Sequence, residues 1–129
     1  MLPQTAVYAL RAMGYIGSQS KNRRLLCEEI SREADIPRNY LSKILNRMVQ
    51  IKLLKSVRGI NGGVELTRPA KDITLSEIVA PFMDLDLYSH CILSYDACRH
   101  SCKLHKQWAP IMKKARHLLE TETLDKLCN

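Results

Sequence analysis

A mainly α-helical domain carrying one small β-hairpin is the fold class this sequence predicts. Three observations point to it. Leu41, Ile44, Leu45 and Met48 recur at the i, i+3, i+4, i+7 spacing of one buried helix face. Directly afterwards, Leu54–Val57 and Val64–Thr67 are short β-prone runs around Gly59, Asn61, Gly62 and Gly63, as expected of a hairpin. Helix-period apolar patterns also recur towards both ends of the chain. A helix followed at once by a basic, glycine-rich hairpin outlines a winged helix-turn-helix, here extended by a long C-terminal helix.

The first helix is expected over Gln4–Ser18, with Ala6, Ala9, Leu10, Met13 and Ile16 inward and Tyr8 and Arg11 beside that face. Lys21–Arg24 reads as a solvated basic turn, with phosphate contact as the alternative. A second helix is expected over Cys27–Ala34, with Leu26, Ile30 and Ala34 inward. Glu28 and Glu29 lie in its first turn, where negative charge is favoured. Cys27 occupies the place of a capping Ser or Thr, so the cap is weak. Asp35-Ile36-Pro37 is the turn into the third helix. Ile36 is expected to pin the two helices, and Pro37 suits a helix start that needs no N–H.

After the hairpin, Arg68–Ile73 is a polar link. Thr74-Leu75-Ser76-Glu77 has the form of a capping box, a hydroxyl followed three residues later by a carboxylate. The helix it opens should bury Leu75, Ile78, Val79 and Phe82, and Pro81 helps end it. Residues 84–101 have no clean period and read as a loop. Leu104, Trp108, Ile111, Ala115 and Leu118 then form a coiled-coil-like seam, with Met112 and Leu119 alongside and Pro110 expected to kink it or mark its start. A long helix ending a small domain is expected to pack against a second copy. The expected organisation is a winged helix-turn-helix domain over residues 1–82, a cysteine-containing loop over 83–103, and a dimerisation helix and tail over 104–129.

The 129 residues suffice for one domain with a core of its own. No apolar run approaches the ~20 residues of a membrane span, so no membrane partner is expected. The N-terminus lacks a charged lead and a cleavage site, so no signal peptide is expected, and the cytoplasm is the expected location. The net charge of +7 is unevenly placed. Arg38, Lys43, Arg47, Lys52, Lys55, Arg58 and Arg68 face only Glu65 between positions 38 and 68. Residues 69–89 reverse the balance, with Lys71 against Asp72, Glu77, Asp84 and Asp86. A concentrated basic footprint argues for a polyanionic partner. The outer face of the third helix carries Asn39, Lys43, Asn46 and Gln50, flanked by Ser42 and Arg47, and no carboxylate. Amides, a hydroxyl and basic groups are what hydrogen-bonding to base edges and phosphates in a major groove needs.

Five cysteines stand at 27, 91, 98, 102 and 128. Residues 91–105 read CILSYDACRHSCKLH, so Cys91-x6-Cys98-x3-Cys102-x2-His105 gathers three thiols and an imidazole. Soft ligands this close suit zinc or an iron–sulfur cluster, with buried or redox-sensing thiols as the alternatives. His90 and His100 compete with His105 as a fourth ligand. Cys27 and Cys128 are distant in sequence and read as structural. There is no C-x-x-C pair, no glycine-rich phosphate loop and no acid–base pair around the cysteines, so no enzymatic activity is expected, and a thiol or iron–sulfur redox protein ranks below a DNA-binding regulator. A cluster-free regulator of the same fold, switched by cysteine oxidation or a partner protein, stands between them.

Several segments together resemble the winged-helix regulator family of IscR, NsrR and CymR, the Rrf-two family. They are Tyr8-Ala9-Leu10-Arg11-Ala12, Glu29-Ile30, Ile36-Pro37, Tyr40-Leu41-Ser42-Lys43-Ile44-Leu45, Ser56-Val57-Arg58-Gly59, Gly62-Gly63, Ile73-Thr74-Leu75-Ser76-Glu77-Ile78, Cys102-x2-His105-x2-Trp108 and Thr123-Leu124. The resemblance implies a homodimeric transcription factor, often a repressor, on a palindromic double-stranded operator, with affinity set by an iron–sulfur cluster. It implies major-groove reading near Arg38, Asn39, Ser42 and Lys43 and a minor-groove contact by Arg58. The expected DNA-binding set is Arg38, Asn39, Tyr40, Ser42, Lys43, Asn46, Arg47, Arg58 and Asn61. The expected cluster ligands are Cys91, Cys98, Cys102 and His105, holding 2Fe–2S, with 4Fe–4S as the alternative because Cys98 and Cys102 are more narrowly spaced than is common in such members. Val7 stands where the NsrR branch carries a ligating carboxylate, which favours His105 and an IscR-like site.

Overall fold

The third helix forms where its apolar period puts it and sits against the first. In a computed structural model, residues 2–19, 23–86 and 102–127 are described. The helices are α1 (Gln4–Ser18), α2 (Cys27–Ala34), α3 (Arg38–Gln50), α4 (Leu75–Val79) and α5 (Lys103–Thr121). Strands β1 (Leu54–Val57) and β2 (Gly63–Leu66) make an antiparallel hairpin between α3 and α4. The described residues are mainly helical with a two-stranded wing, as the sequence predicts.

α1 is the central strut, packed against α2, α3, α4 and a C-terminal 3-10 turn, Leu124–Leu127. Ala6, Ala9 and Ala12 are completely buried, and such short side chains let neighbouring helices approach closely. Leu10, expected inside, is only partly buried against this core. Asp35 ends α2 in the left-handed conformation, at φ 53°. Ser31 accepts the Ile36 N–H at 3.0 Å on its carbonyl and donates its hydroxyl to the Ile36 carbonyl at 2.6 Å. Ile36 is buried, so the turn fixes the angle between α2 and α3. Pro37 is the residue before α3 rather than its first residue, and its carbonyl accepts the Leu41 N–H.

Leu26, expected inside, is instead 58% exposed, and Leu25 is the buried residue. Helical spacing does not extend past Cys27, because Leu25 is in extended backbone and bridges to Val64. β2 likewise begins one residue earlier than expected, where Gly63 pairs with Val57.

The capping box forms as predicted: Thr74 Oγ1 accepts the Glu77 N–H, and Glu77 Oε2 accepts the Thr74 N–H at 2.8 Å. α5 runs unbroken through Pro110. Met112 and Leu119 are buried, and Leu119 and Leu124 join the same core as α1–α4. Leu104, Ile111 and Leu118, seven residues apart, are 45%, 56% and 52% exposed. α5 therefore carries one stripe for its own core and another facing out.

Candidate nucleic-acid interface

α3 turns Leu41, Ile44, Leu45 and Met48 into the core, which leaves one face outside. Arg38, Asn39, Tyr40, Ser42, Lys43, Asn46, Arg47 and Gln50 are all exposed there. Asn39, Lys43, Asn46 and Gln50 follow one another at helical spacing along the outer ridge. Ser42 donates its hydroxyl back to the Arg38 carbonyl at 3.1 Å, and Arg47 donates to Gln50 Oε1 at 3.1 Å. Tyr40 is held from below: its ring lies 6.0 Å from the Tyr8 ring at 51°, and the Arg11 guanidinium stands 5.8 Å over Tyr8.

The cations divide into two groups. Arg23 pairs with Glu29 at 2.5 Å, Arg68 with Glu77, and Arg116 with both Asp86 and Glu120. These serve the framework. The Arg23 guanidinium holds the Glu29 carboxyl below its ordinary range, and the same pairing raises Arg23. Among the described residues, no carboxylate pairs with Arg38, Lys43, Arg47 or Arg58. Their charge is left available to an outside anion.

The wing presents Arg58 and Asn61 at its exposed end. Gly59 at φ 96° and Asn61 at φ 64° turn the chain, and the Gly62 N–H closes the turn on the Gly59 carbonyl at 3.0 Å. Arg24 donates to the Asn61 carbonyl at 3.2 Å and approaches Glu65 at 3.8 Å. Where it is described, at Arg23 and Arg24, the expected basic turn is exposed, and both side chains are also engaged in these pairs; Lys21 lies outside the described residues. Periodicity gave no sign of Arg24, nor of Ile60, which stands beside Asn61. The signal for Ile60 was its own oddity, a β-branched residue between a glycine and an asparagine in a turn.

Of the expected cluster ligands, Cys91 and Cys98 lie outside the described residues, as does Cys128. Cys102 is the exposed N-cap of α5, and its Sγ accepts the His105 N–H at 3.2 Å. His105 is half-buried in the first turn of the same helix. Thiolate sulfur and imidazole nitrogen are the forms in which cysteine and histidine ligate metals. These two donors suit a soft-metal group in chemistry and spacing. Among the described residues there is no cluster of three or more metal-binding side chains. Cys27, the first residue of α2 rather than its cap, packs partly on the core and lies 3.8 Å from Ser42 Oγ. Among the described residues, no helix is long and apolar enough to cross a membrane.

The Rrf2 family pattern, described as an iron-dependent transcriptional regulator, matches residues 2–129. A relative from Aquifex aeolicus (strain VF5), named as an HTH-type transcriptional regulator, is 28% identical, covering 97% of this chain and 89% of its own length. CymR (YrzC), the global cysteine regulator of B. subtilis, superposes with a TM-score of 0.83 at 18% identity, over 98% of this chain and 95% of that one. T. potens IscR superposes at 0.74 with 20% identity, over 97% and 83%. The oxidized form of Staphylococcus aureus CymR superposes at 0.78 with 22% identity, over 100% and 96%.

Proposed function

Because the chain belongs to the Rrf2 family of transcriptional regulators, we propose that two copies read a palindromic DNA operator through α3 and the wing, under control of an iron–sulfur cluster held by Cys91, Cys98, Cys102 and His105. The observation that carries the DNA reading is the outer face of α3, where amides and unpaired cations stand exposed with no carboxylate among them. Arg38, Asn39, Ser42 and Lys43 read base edges in the major groove, with Tyr40, Asn46 and Arg47 extending the contact along base edges and phosphates. Arg58 and Asn61 extend the contact from the wing. The exposed stripe of Leu104, Ile111 and Leu118 supports a homodimer through α5, which sets the spacing of two recognition helices. Residues 1–82 then form the reader, 83–103 the sensing loop and 104–129 the dimer arm of a cytoplasmic repressor that is not an enzyme.

The cluster assignment rests on the thiol-rich spacing and on Cys102 and His105 sharing the first turn of α5. When bound, an iron–sulfur cluster, 2Fe–2S in this reading, supplies iron–thiolate bonds that respond to iron supply and to oxidants. Cys102 begins α5 and holds the His105 N–H, so a change at its sulfur acts on the first turn of the dimer helix. Order in the loop between α4 and α5 then re-aims the two α3 helices. Anaerobically purified protein should be coloured and contain iron and sulfide, and its gel shift with DNA should change on exposure to air. A colourless protein without iron overturns the cluster assignment.

A second reading keeps the DNA function and replaces the cluster with a thiol switch. It is favoured by Cys27, whose sulfur lies against Ser42 on the reading face. A bulky adduct there would crowd the groove-facing side of α3.

A further inference from the structure

Ile60 is 95% exposed, the most exposed large apolar side chain among the described residues. An isolated apolar residue on a surface is ordinary. Ile60 differs in how firmly it is held and where. It occupies the first central position of the wing turn, which the Gly62 N–H closes on the Gly59 carbonyl. Asn61 follows in the left-handed conformation, with its carbonyl held by Arg24. The root of the hairpin is tied to the body by paired backbone hydrogen bonds between Leu25 and Val64. An isoleucine is thus presented on an anchored tip between exposed Arg58 and Asn61, within the most basic stretch of the chain.

We propose that Ile60 is the apolar contact of the wing in a DNA minor groove, where it packs on the deoxyribose walls and presses at a base step. This rests on the DNA-binding reading above and adds a residue that selects sequence without hydrogen bonds. An arginine favours a narrow, strongly negative minor groove, and Arg58 stands beside Ile60 to supply it. Apolar side chains that enter this groove wedge between bases and partly unstack them. The steps that yield most easily are TA and CA/TG, so Ile60 favours duplexes carrying one beneath the wing.

The test begins with duplexes selected by the wild-type protein from a randomised 30-bp pool. Wild type, Ile60→Ala and Lys43→Ala are then compared by fluorescence anisotropy across salt concentrations, and bending is read by circular-permutation gel shift. Ile60→Ala should bind roughly 5- to 100-fold more weakly, the scale of one lost specific contact. Its salt slope should be unchanged, because no charge is removed. Bending should decrease, and reselection with Ile60→Ala should lose the flexible step. If Ile60→Ala binds, bends and selects like wild type while Lys43→Ala binds weakly, the role of Ile60 is overturned and the DNA reading stands. If neither variant weakens binding, both fall. If Ile60→Ala changes the sedimentation of DNA-free protein instead, the residue contacts a second copy, and the groove assignment is overturned.

Discussion

Leu25 and Val64 exchange backbone hydrogen bonds: the Leu25 N–H donates to Val64 at 3.0 Å, and the Val64 N–H donates to Leu25 at 2.8 Å. This bridge fastens the wing to the segment that opens α2, so α3 and the wing tip are positioned by one body. Gly63 makes the approach feasible. It sits at φ 130°, and a Cβ there would lie 2.5 Å from the Leu25 carbonyl oxygen. Gly63→Ala should therefore destabilise the fold by about 1–3 kcal/mol, through a strained backbone conformation and a displaced wing. A lower urea midpoint with weaker DNA binding is the expected result. An unchanged midpoint would show that the wing root tolerates a side chain.

The exposed stripe on α5 predicts oligomeric state. Ile111→Glu or Leu118→Glu places a carboxylate on the proposed dimer seam while Met112 and Leu119 stay in the core. Sedimentation should shift from dimer to monomer with the helical circular dichroism retained. A dimer that survives both substitutions would move the interface elsewhere.

Thr74→Ala removes half of the capping box and should cost about 0.5–2 kcal/mol. The loss should extend beyond α4. Thr74 bridges to Thr123, and the Ile73 carbonyl accepts the Leu124 N–H at 2.8 Å, so the C-terminal turn rests on the same corner. Thermal unfolding and hydrogen exchange at Leu124 measure both effects.

Two carboxylates predict acid sensitivity. The Arg23 guanidinium holds Glu29 below its ordinary value of 4.5. Burial pushes Glu77 upward, but the Thr74 backbone N–H and Arg68 outweigh it, so Glu77 also ends below 4.5. Both groups are easier to ionise folded than unfolded. Their stabilisation is complete above the unfolded carboxylate range and is lost as pH falls through the depressed native values. The melting temperature should fall as pH drops below the ordinary carboxylate value of 4.5. Arg23→Ala should flatten that fall, because it removes the main cause of the Glu29 shift.

Most of this architecture was legible in the sequence, for definable reasons. The bounds of α1 and α2 and the two faces of α3 follow from apolar period, which reports burial directly. The capping box is legible because its side chains bond within four residues. Leu26 was misread because Leu25 is governed by a long-range bridge to Val64, and no local period carries that information. In α5 the seam could be read, but not which stripe meets the core; that is set by α4 and the terminal turn. The exposure of Ile60 and the Arg24 contact with the Asn61 carbonyl are not legible, because the geometry of the wing tip belongs to a five-residue turn without a period.

The reading face of α3 is tested most directly by the salt dependence of duplex binding for wild type and Lys43→Ala, on DNA selected by the wild-type protein. Lys43→Ala should bind more weakly, with a slope of log affinity against log salt smaller by about one. A variant with the same affinity and slope as wild type would contradict the placement of α3 against DNA.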